Sequence, residues 1–149
     1  MLYLLCGLPG SGKTTFRNKI IECNRILKRE VLVVSPDEIR REFGVQFDPT
    51  IEKEVWELAY LRLKNYLENG SSVIFDATNI TVERRKPLIE IANKANHIVI
   101  AVVFNRPLEV VLEQNRNRDA VVPEEVILRM AKSYVEPSLE EGIVHIINV

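Results

Sequence analysis

The chain has 149 residues, 46% of them hydrophobic and 28% charged, with a formal net charge of −1 at pH 7. That length suits one domain with a sizeable core, and the balanced charge argues against a protein that coats DNA while leaving room for a narrow site with a few local Arg and Lys. No apolar run approaches the ~20 residues of a membrane span, and the first residues lack the basic start of a signal peptide. The expectation is a cytoplasmic protein with Cys6 and Cys23 as reduced thiols, no membrane association and no protein partner indicated.

Leu2–Cys6 is a short apolar run that predicts a buried strand, and from Thr14 to Lys28 the pattern is helical. Between them stands Gly7-Leu8-Pro9-Gly10-Ser11-Gly12-Lys13-Thr14, the G-x-x-x-x-G-K-[ST] phosphate loop in the strand–loop–helix setting that it requires. Gly7, Gly10 and Gly12 allow the backbone to curl its N–H groups around an anion, and the following helix adds the positive end of its dipole. Lys13 reaches the β- and γ-phosphates of a nucleoside triphosphate, and the Thr14 hydroxyl ligates Mg²⁺. The nucleotide-binding set is therefore Gly7, Pro9, Gly10, Ser11, Gly12, Lys13, Thr14 and Thr15, with ATP and Mg²⁺ as the expected cofactors.

Further apolar runs at Val31–Val34, Ser72–Phe75, His97–Phe104 and Ile143–Ile147 predict four more strands. They show little alternation, as parallel strands buried on both faces do. Helical patterns fill the gaps: Pro36–Phe43, Thr50–Asn69, about Thr81–Ala95, Pro107–Arg118, and Pro123–Glu141 or somewhat less. Pro87 implies that the fourth helix kinks or starts near it. The pattern predicts an α/β fold: a P-loop NTPase kinase core spanning 1–149, a five-stranded parallel sheet with helices on both faces.

Ligands of such sheets bind outside the carboxyl ends of the strands. After the second strand, Ser35-Pro36-Asp37-Glu38-Ile39-Arg40 reads as a capped helix start, with Ser35 as N-cap, Pro36 at N1 and Glu38 closing a capping box. The same helix is a rigid mount for Asp37 as a general base and Arg40 as a cationic clamp on the acceptor or the transferring phosphoryl group. After the third strand, Asp76-Ala77-Thr78-Asn79 places an acid where Mg²⁺ or an active-site arginine would meet it. Arg84-Arg85-Lys86 reads as a solvated basic triplet without an assigned role. Asn115-Arg116-Asn117-Arg118-Asp119, between two helices, reads as an arginine-bearing lid at about 115–123, with Arg116 and Arg118 facing ATP. His97 and His145 have no metal-ligand spacing, and Trp56 and Tyr60 fit a core stripe better than a base-stacking platform.

A GTPase is disfavoured, because Asp76-Ala77-Thr78-Asn79 stands where Asp-x-x-Gly is needed and Asn93-Lys94-Ala95-Asn96 lacks the acid of a guanine-reading motif. A motor ATPase needs subdomains for which these residues leave no room. A phosphotransferase fits, its acceptor either a polynucleotide end or a small molecule such as a sugar, nucleoside or antibiotic.

Gly7–Thr15, Ser35–Arg40, Val73–Asn79 and Arg85–Phe104 together resemble the kinase module of polynucleotide 5′-hydroxyl kinases, bacterial end-repair and phage types, along essentially the whole chain. That resemblance implies transfer of the γ-phosphate of ATP to the 5′-hydroxyl end of DNA or RNA. It makes Lys13, Asp37, Arg40 and Arg118 catalytic, with Thr14 and Asp76 at the metal and Asp76 orienting Arg40 or the metal shell. Gln114 and Val121 stand where the family often carries Arg, and Arg116 is the substitute this chain offers. A nucleotide-gated binding module without turnover is the remaining alternative.

Overall fold

The computed structural model describes residues 1–45 and 47–149. Strand and helix alternate as β1 Leu2–Cys6, α1 Lys13–Ile26, β2 Val31–Val34, α2 Pro36–Glu42, α3 Glu52–Glu68, β3 Ser72–Asp76, α4 Val82–Lys94, β4 Val99–Val103, α5 Leu108–Arg116, α6 Glu124–Ser133 and β5 His145–Asn148, with a 3-10 turn Leu139–Glu141 before β5. The five strands form one parallel sheet in the order β2-β3-β1-β4-β5. Five short, largely aliphatic runs joined by crossovers bury both faces of such a sheet. β1 lies at the centre, Leu5 in register with Asp76 on one side and Cys6 with Val103 on the other.

The two faces follow the period-2 geometry of a strand. Leu2, Leu4 and Cys6 of β1 enter the larger core with Val55, Ala59, Leu63 and Leu67 of α3 and Leu88, Ile89 and Ala92 of α4. Leu5 faces the other way, against Ile74, Val102 and Phe104, with Phe16, Ile20 and Ile21 of α1 over them. Both cysteines are free, and burial pushes the Cys6 thiol up to about 12, so it packs as an apolar group.

Several sequence expectations shift, β5 among them, which runs His145–Asn148 rather than Ile143–Ile147. β4 begins at Val99 rather than His97, because the His97 ring bridges the Met1 ammonium and the Leu67 carbonyl, the latter at 2.8 Å. α4 starts at Val82 with Thr81 as its cap, five residues ahead of Pro87, which lies inside the helix. There the proline forfeits the ladder bond to the exposed Glu83 carbonyl. α6 stops at Ser133, since the backbone turns extended at Tyr134 and Pro137 follows. The capping box at α2 is half formed: Ser35 accepts from the Glu38 N–H at 3.4 Å, while the Glu38 carboxylate turns to Arg17 at 2.7 Å.

Of the basic triplet of α4, Arg84 and Lys86 are exposed as expected, but Arg85 is not. Arg85 is 0% exposed, among the largest fully buried side chains. Its guanidinium donates to both oxygens of Glu141 at 2.8 and 2.9 Å, and to the carbonyls of Asn79 and Val135, each at 2.9 Å. A buried arginine is tolerable only when its donors are spent in this way. Arg85→Met should therefore destabilise the fold by about 3–5 kcal/mol, because it strands a buried carboxylate and two carbonyls. Urea denaturation measures this, and adding Glu141→Leu should recover part of the loss.

Candidate active site

The loop 7–12 leaves the central strand and ends in α1, whose N-cap Gly12 has φ 98°, a left-handed conformation that side-chain-bearing residues adopt at a cost. A Cβ on Gly12 would meet nothing within 4 Å, so no neighbouring element crowds the loop at that point. Gly10 is held from outside: a Cβ there would lie 2.9 Å from the Val111 carbonyl and 3.2 Å from the Asn115 nitrogen. α5 thus rests directly on the loop backbone. The hydroxyl oxygen of Ser11 is buried with no partner among the described residues. An uncrowded cradle, a helix N-terminus and an unspent hydroxyl fit a polyphosphate.

Lys13 spans this cradle. Its Nζ donates to the carbonyls of Gly7 at 2.8 Å and Leu8 at 2.7 Å, folded back on its own loop. Burial lowers its pKa to about 8, with the field of Asp76 acting against that shift, Arg118 adding to it, and Asp37 opposing it more weakly. Those three charges come from β3, the lid and α2. The fold thus brings together four groups that lie far apart in the chain.

The acids and arginines interlock. Asp76, at the end of β3, accepts from Arg17 Nη1 at 3.0 Å, and the same nitrogen donates to Glu38. Burial raises the Asp76 pKa, the opposing fields of Arg17 and Lys13 limiting the rise. Arg40 is held elsewhere: it donates to Asp37, and through Nε at 3.0 Å and through Nη2 to Glu52 of α3. The hydrogen bond from Arg40 keeps the Glu52 carboxyl below its ordinary range. Glu52, not Asp76, therefore orients Arg40, and Arg17 is what Asp76 meets. Sequence reasoning missed both Arg17 and Glu52. Arg17 carried a signal, since it follows Lys13 by one helical turn and so faces the same way; Glu52 carried none. Asp37 itself stays open, its side chain 70% exposed at the mouth of the site.

Thr14 and Thr15 are exposed at the start of α1. Among the described residues no group of three or more His, Cys, Asp or Glu is placed to hold a metal. Thr14 and Asp76 nevertheless suit Mg²⁺, which takes few protein oxygens and completes its shell with phosphate and water.

The segment 115–123 is tied together at its base. Asn115 is fully buried and exchanges two bonds with Val122, Nδ2 to the carbonyl at 2.7 Å and N–H to Oδ1 at 3.0 Å. Arg116 turns outward to Glu124, whereas the charge of Arg118 reaches Lys13. Beside the loop a cleft of about 320 Å³ is lined by Gly12, Thr15, Phe16, Arg106 and Gln114, among others. Its floor is the edge-to-face pair of Phe16 and Phe104, centroids 5.4 Å apart.

A parallel sheet in the order 2-3-1-4-5, with a phosphate loop leaving its central strand and Asp76 at the tip of the adjacent β3, defines a P-loop kinase fold. The chain belongs to the AAA domain family, whose pattern it matches over residues 2–137. It is 30% identical over 137 residues to the L-seryl-tRNA(Sec) kinase of Methanococcus maripaludis, a match covering 92% of this chain and 53% of that protein. The chain thus spans about half the length of that relative. Kti12 of Chaetomium thermophilum, in complex with ADP-AlF3, superposes with a TM-score of 0.77 at 20% identity, over 100% of this chain and 88% of the other. The Pnkp1/Rnl/Hen1 RNA repair complex contains a chain with a TM-score of 0.78 at 22% identity, over 89% of this chain and 43% of that one. Among the described residues no helix is long and apolar enough to cross a membrane.

The position of Lys13 has a measurable consequence. A bound polyphosphate favours its charged form, so its pKa rises on binding and a proton is taken up. Above about pH 8, affinity for ADP should fall by up to about tenfold per pH unit until the pKa of the bound form is reached. Calorimetric titrations in buffers of different ionisation heat should detect proton uptake at pH 8.5, and Lys13→Arg should abolish it.

Proposed function

We propose that this protein is an ATP-dependent kinase that transfers the γ-phosphoryl group to the 5′-hydroxyl end of a nucleic acid strand. The observation that carries the reading is that Lys13 lies in the fields of Asp37, Asp76 and Arg118 together. A base, an acid at the metal position and a lid cation thus surround the point where a γ-phosphate would rest.

The chemistry follows from those groups. Backbone N–H groups of the loop and the N-terminus of α1 hold the phosphates. Lys13 exchanges two carbonyls for phosphate oxygens. The adenosine end enters the cleft bordered by Thr15, Arg106 and Gln114. Thr14 and Asp76 would hold Mg²⁺, which neutralises charge on the phosphates. Asp37, exposed and steadied by Arg40, accepts the proton of the attacking hydroxyl. Arg40 and the lid Arg118 face the charge that develops on the transferring group. Arg116, paired with Glu124, becomes available to ATP only if that pair opens.

The 30% identity to a kinase of a tRNA-linked serine favours a second reading, in which the acceptor hydroxyl is carried by an aminoacyl-tRNA. Both readings put a hydroxyl at the end of a nucleic acid before Asp37. The test offers γ-labelled ATP and Mg²⁺ with a 5′-hydroxyl DNA or RNA oligonucleotide, seryl-tRNA, and a panel of sugars, nucleosides and aminoglycosides. Label on the oligonucleotide supports the first reading and label on seryl-tRNA the second; label on a small molecule alone sinks both. Asp37→Asn should cut transfer by roughly 100-fold or more while ATP affinity stays within about twofold, as expected of a lost general base.

A further inference from the structure

The sheet separates α1 from the helix that carries the base. Phe16 and Ile20 of α1 pack on one face, whereas Ile39 of α2 and Val55 and Ala59 of α3 belong to the core on the other. Two ion pairs fasten α2 to α3, Arg40 with Glu52 and Glu42 with Arg62. From α1, among the described residues, one side-chain hydrogen bond runs to another helix, and it goes to α2. Arg17 Nη1 donates to Glu38 at 2.7 Å, and the same nitrogen donates to Asp76 at 3.0 Å. The helix of the phosphate loop is thus joined to the helix of Asp37 across the end of β3.

Arg17 is oriented for bridging. An arginine gripping a single carboxylate uses two nitrogens in parallel. Here one nitrogen stands between two carboxylates, while Nε is buried with no partner among the described residues. A buried donor left unpaired costs free energy. Glu38 forgoes a local bond as well, since its carboxylate turns from the capping box to Arg17. Both side chains therefore leave bonds unmade in favour of one that spans two elements. The Arg17 and Asp76 side chains are 16% and 11% exposed, so this anchor is shielded from the screening that weakens surface pairs. Asp37 and Glu38 are adjacent in the first turn of α2, and a displacement of that turn moves both.

We propose that Arg17 is a positioning residue that sets the first turn of α2, and with it Asp37, against the phosphate loop. This rests on the reading of Asp37 as the base. Arg17 acts through Glu38, with Asp76 as its fixed anchor, and contacts neither the hydroxyl nor the nucleotide. Its effect falls on kcat, because the phosphates are held by the loop and the start of α1.

Two variants separate the arms of the bridge. Glu38→Ala cuts the arm to α2 and leaves the Arg17–Asp76 pair, whereas Arg17→Met cuts both without altering α2 itself. Amide hydrogen exchange of the nucleotide-free protein reads the placement of α2. Each variant should speed exchange over Pro36–Glu42 by roughly 3- to 5-fold, as for the loss of one partly exposed ion pair. Exchange in α1 and α3 should not change, and Arg17→Lys should stay near the wild type. Transfer from γ-labelled ATP to a 5′-hydroxyl oligonucleotide or seryl-tRNA reads the consequence. Glu38→Ala should lower kcat by roughly 10- to 100-fold, as for a base displaced by about 1 Å, with KM for ATP within about twofold. In an Asp37→Asn background the same substitution should lower kcat by less than about twofold more, since its effect passes through Asp37.

If Glu38→Ala leaves either α2 exchange or kcat at the wild-type value, the positioning role is wrong and the base reading stands. Equal loss of kcat in both backgrounds also overturns it, because a merely structural contact would act without regard to Asp37. If Asp37→Asn turns over normally, or neither acceptor takes label from the wild type, the reading of the site fails and this role with it.

Discussion

The site hangs on the point where β1 and β3 leave the sheet side by side. There the Gly7 N–H donates to the Thr78 carbonyl at 2.9 Å, and the buried Asn79 amide donates to the Leu5 carbonyl at 2.8 Å. Asn79 takes φ 46° to do so, a left-handed backbone that asparagine tolerates better than most residues. These bonds tie the root of the phosphate loop to the root of the Asp76 turn, so the loop and the acid cannot drift apart. Arg85 extends the tie by holding the Asn79 carbonyl, the Val135 carbonyl and Glu141 at once. Val135 also donates to the Ile80 carbonyl at 2.8 Å. The segment beyond the lid is thereby fastened to the same turn, and a motion of α6 has a fixed pivot.

Around that junction each cation is held by two acceptors. Lys13 rests on two carbonyls, Arg17 is shared by Asp76 and Glu38, and Arg40 by Asp37 and Glu52. Half-buried charges need such partners, because isolated ones cost several kcal/mol in a medium of low polarity. The pairs also keep the cations pointed at the site. A polyphosphate has only to compete with carbonyls for Lys13; it does not have to order a free side chain, so the entropy of ordering is already spent in folding.

The central strand divides the work between two sides. Towards β4 lies the cleft floored by Phe16 and Phe104, with α5 resting on Gly10. Towards β2 and β3 lie Asp37, Arg40, Glu52, Trp56 and Arg84, drawn from three helices. The loop stands between the two, where a group could pass from one side to the other. The fold is shared with Kti12 and with a chain of the Pnkp1/Rnl/Hen1 complex.

Local signals sufficed for much of this. The phosphate loop, the five parallel strands, the capped helix carrying Asp37 and the acid ending β3 are all readable along the chain, because each rests on a short run of residues whose backbone preferences agree. Other features depended on residues distant in sequence. Arg85 sits in a basic triplet that reads as solvated, and only the approach of Glu141, 56 positions on, makes it the buried anchor of the turn. Glu52 looks like an ordinary helix-start acid until α3 packs beside α2 and brings it to Arg40. Asp76 could have met Arg40 or Arg17, and the choice fell to Arg17 because α1 crosses the end of β3. Trp56 reads as core, yet one face of its ring is left for Arg84 to cover. Backbone preference is local and so legible in sequence; the partner of a charged or aromatic side chain is set by which elements the sheet brings together.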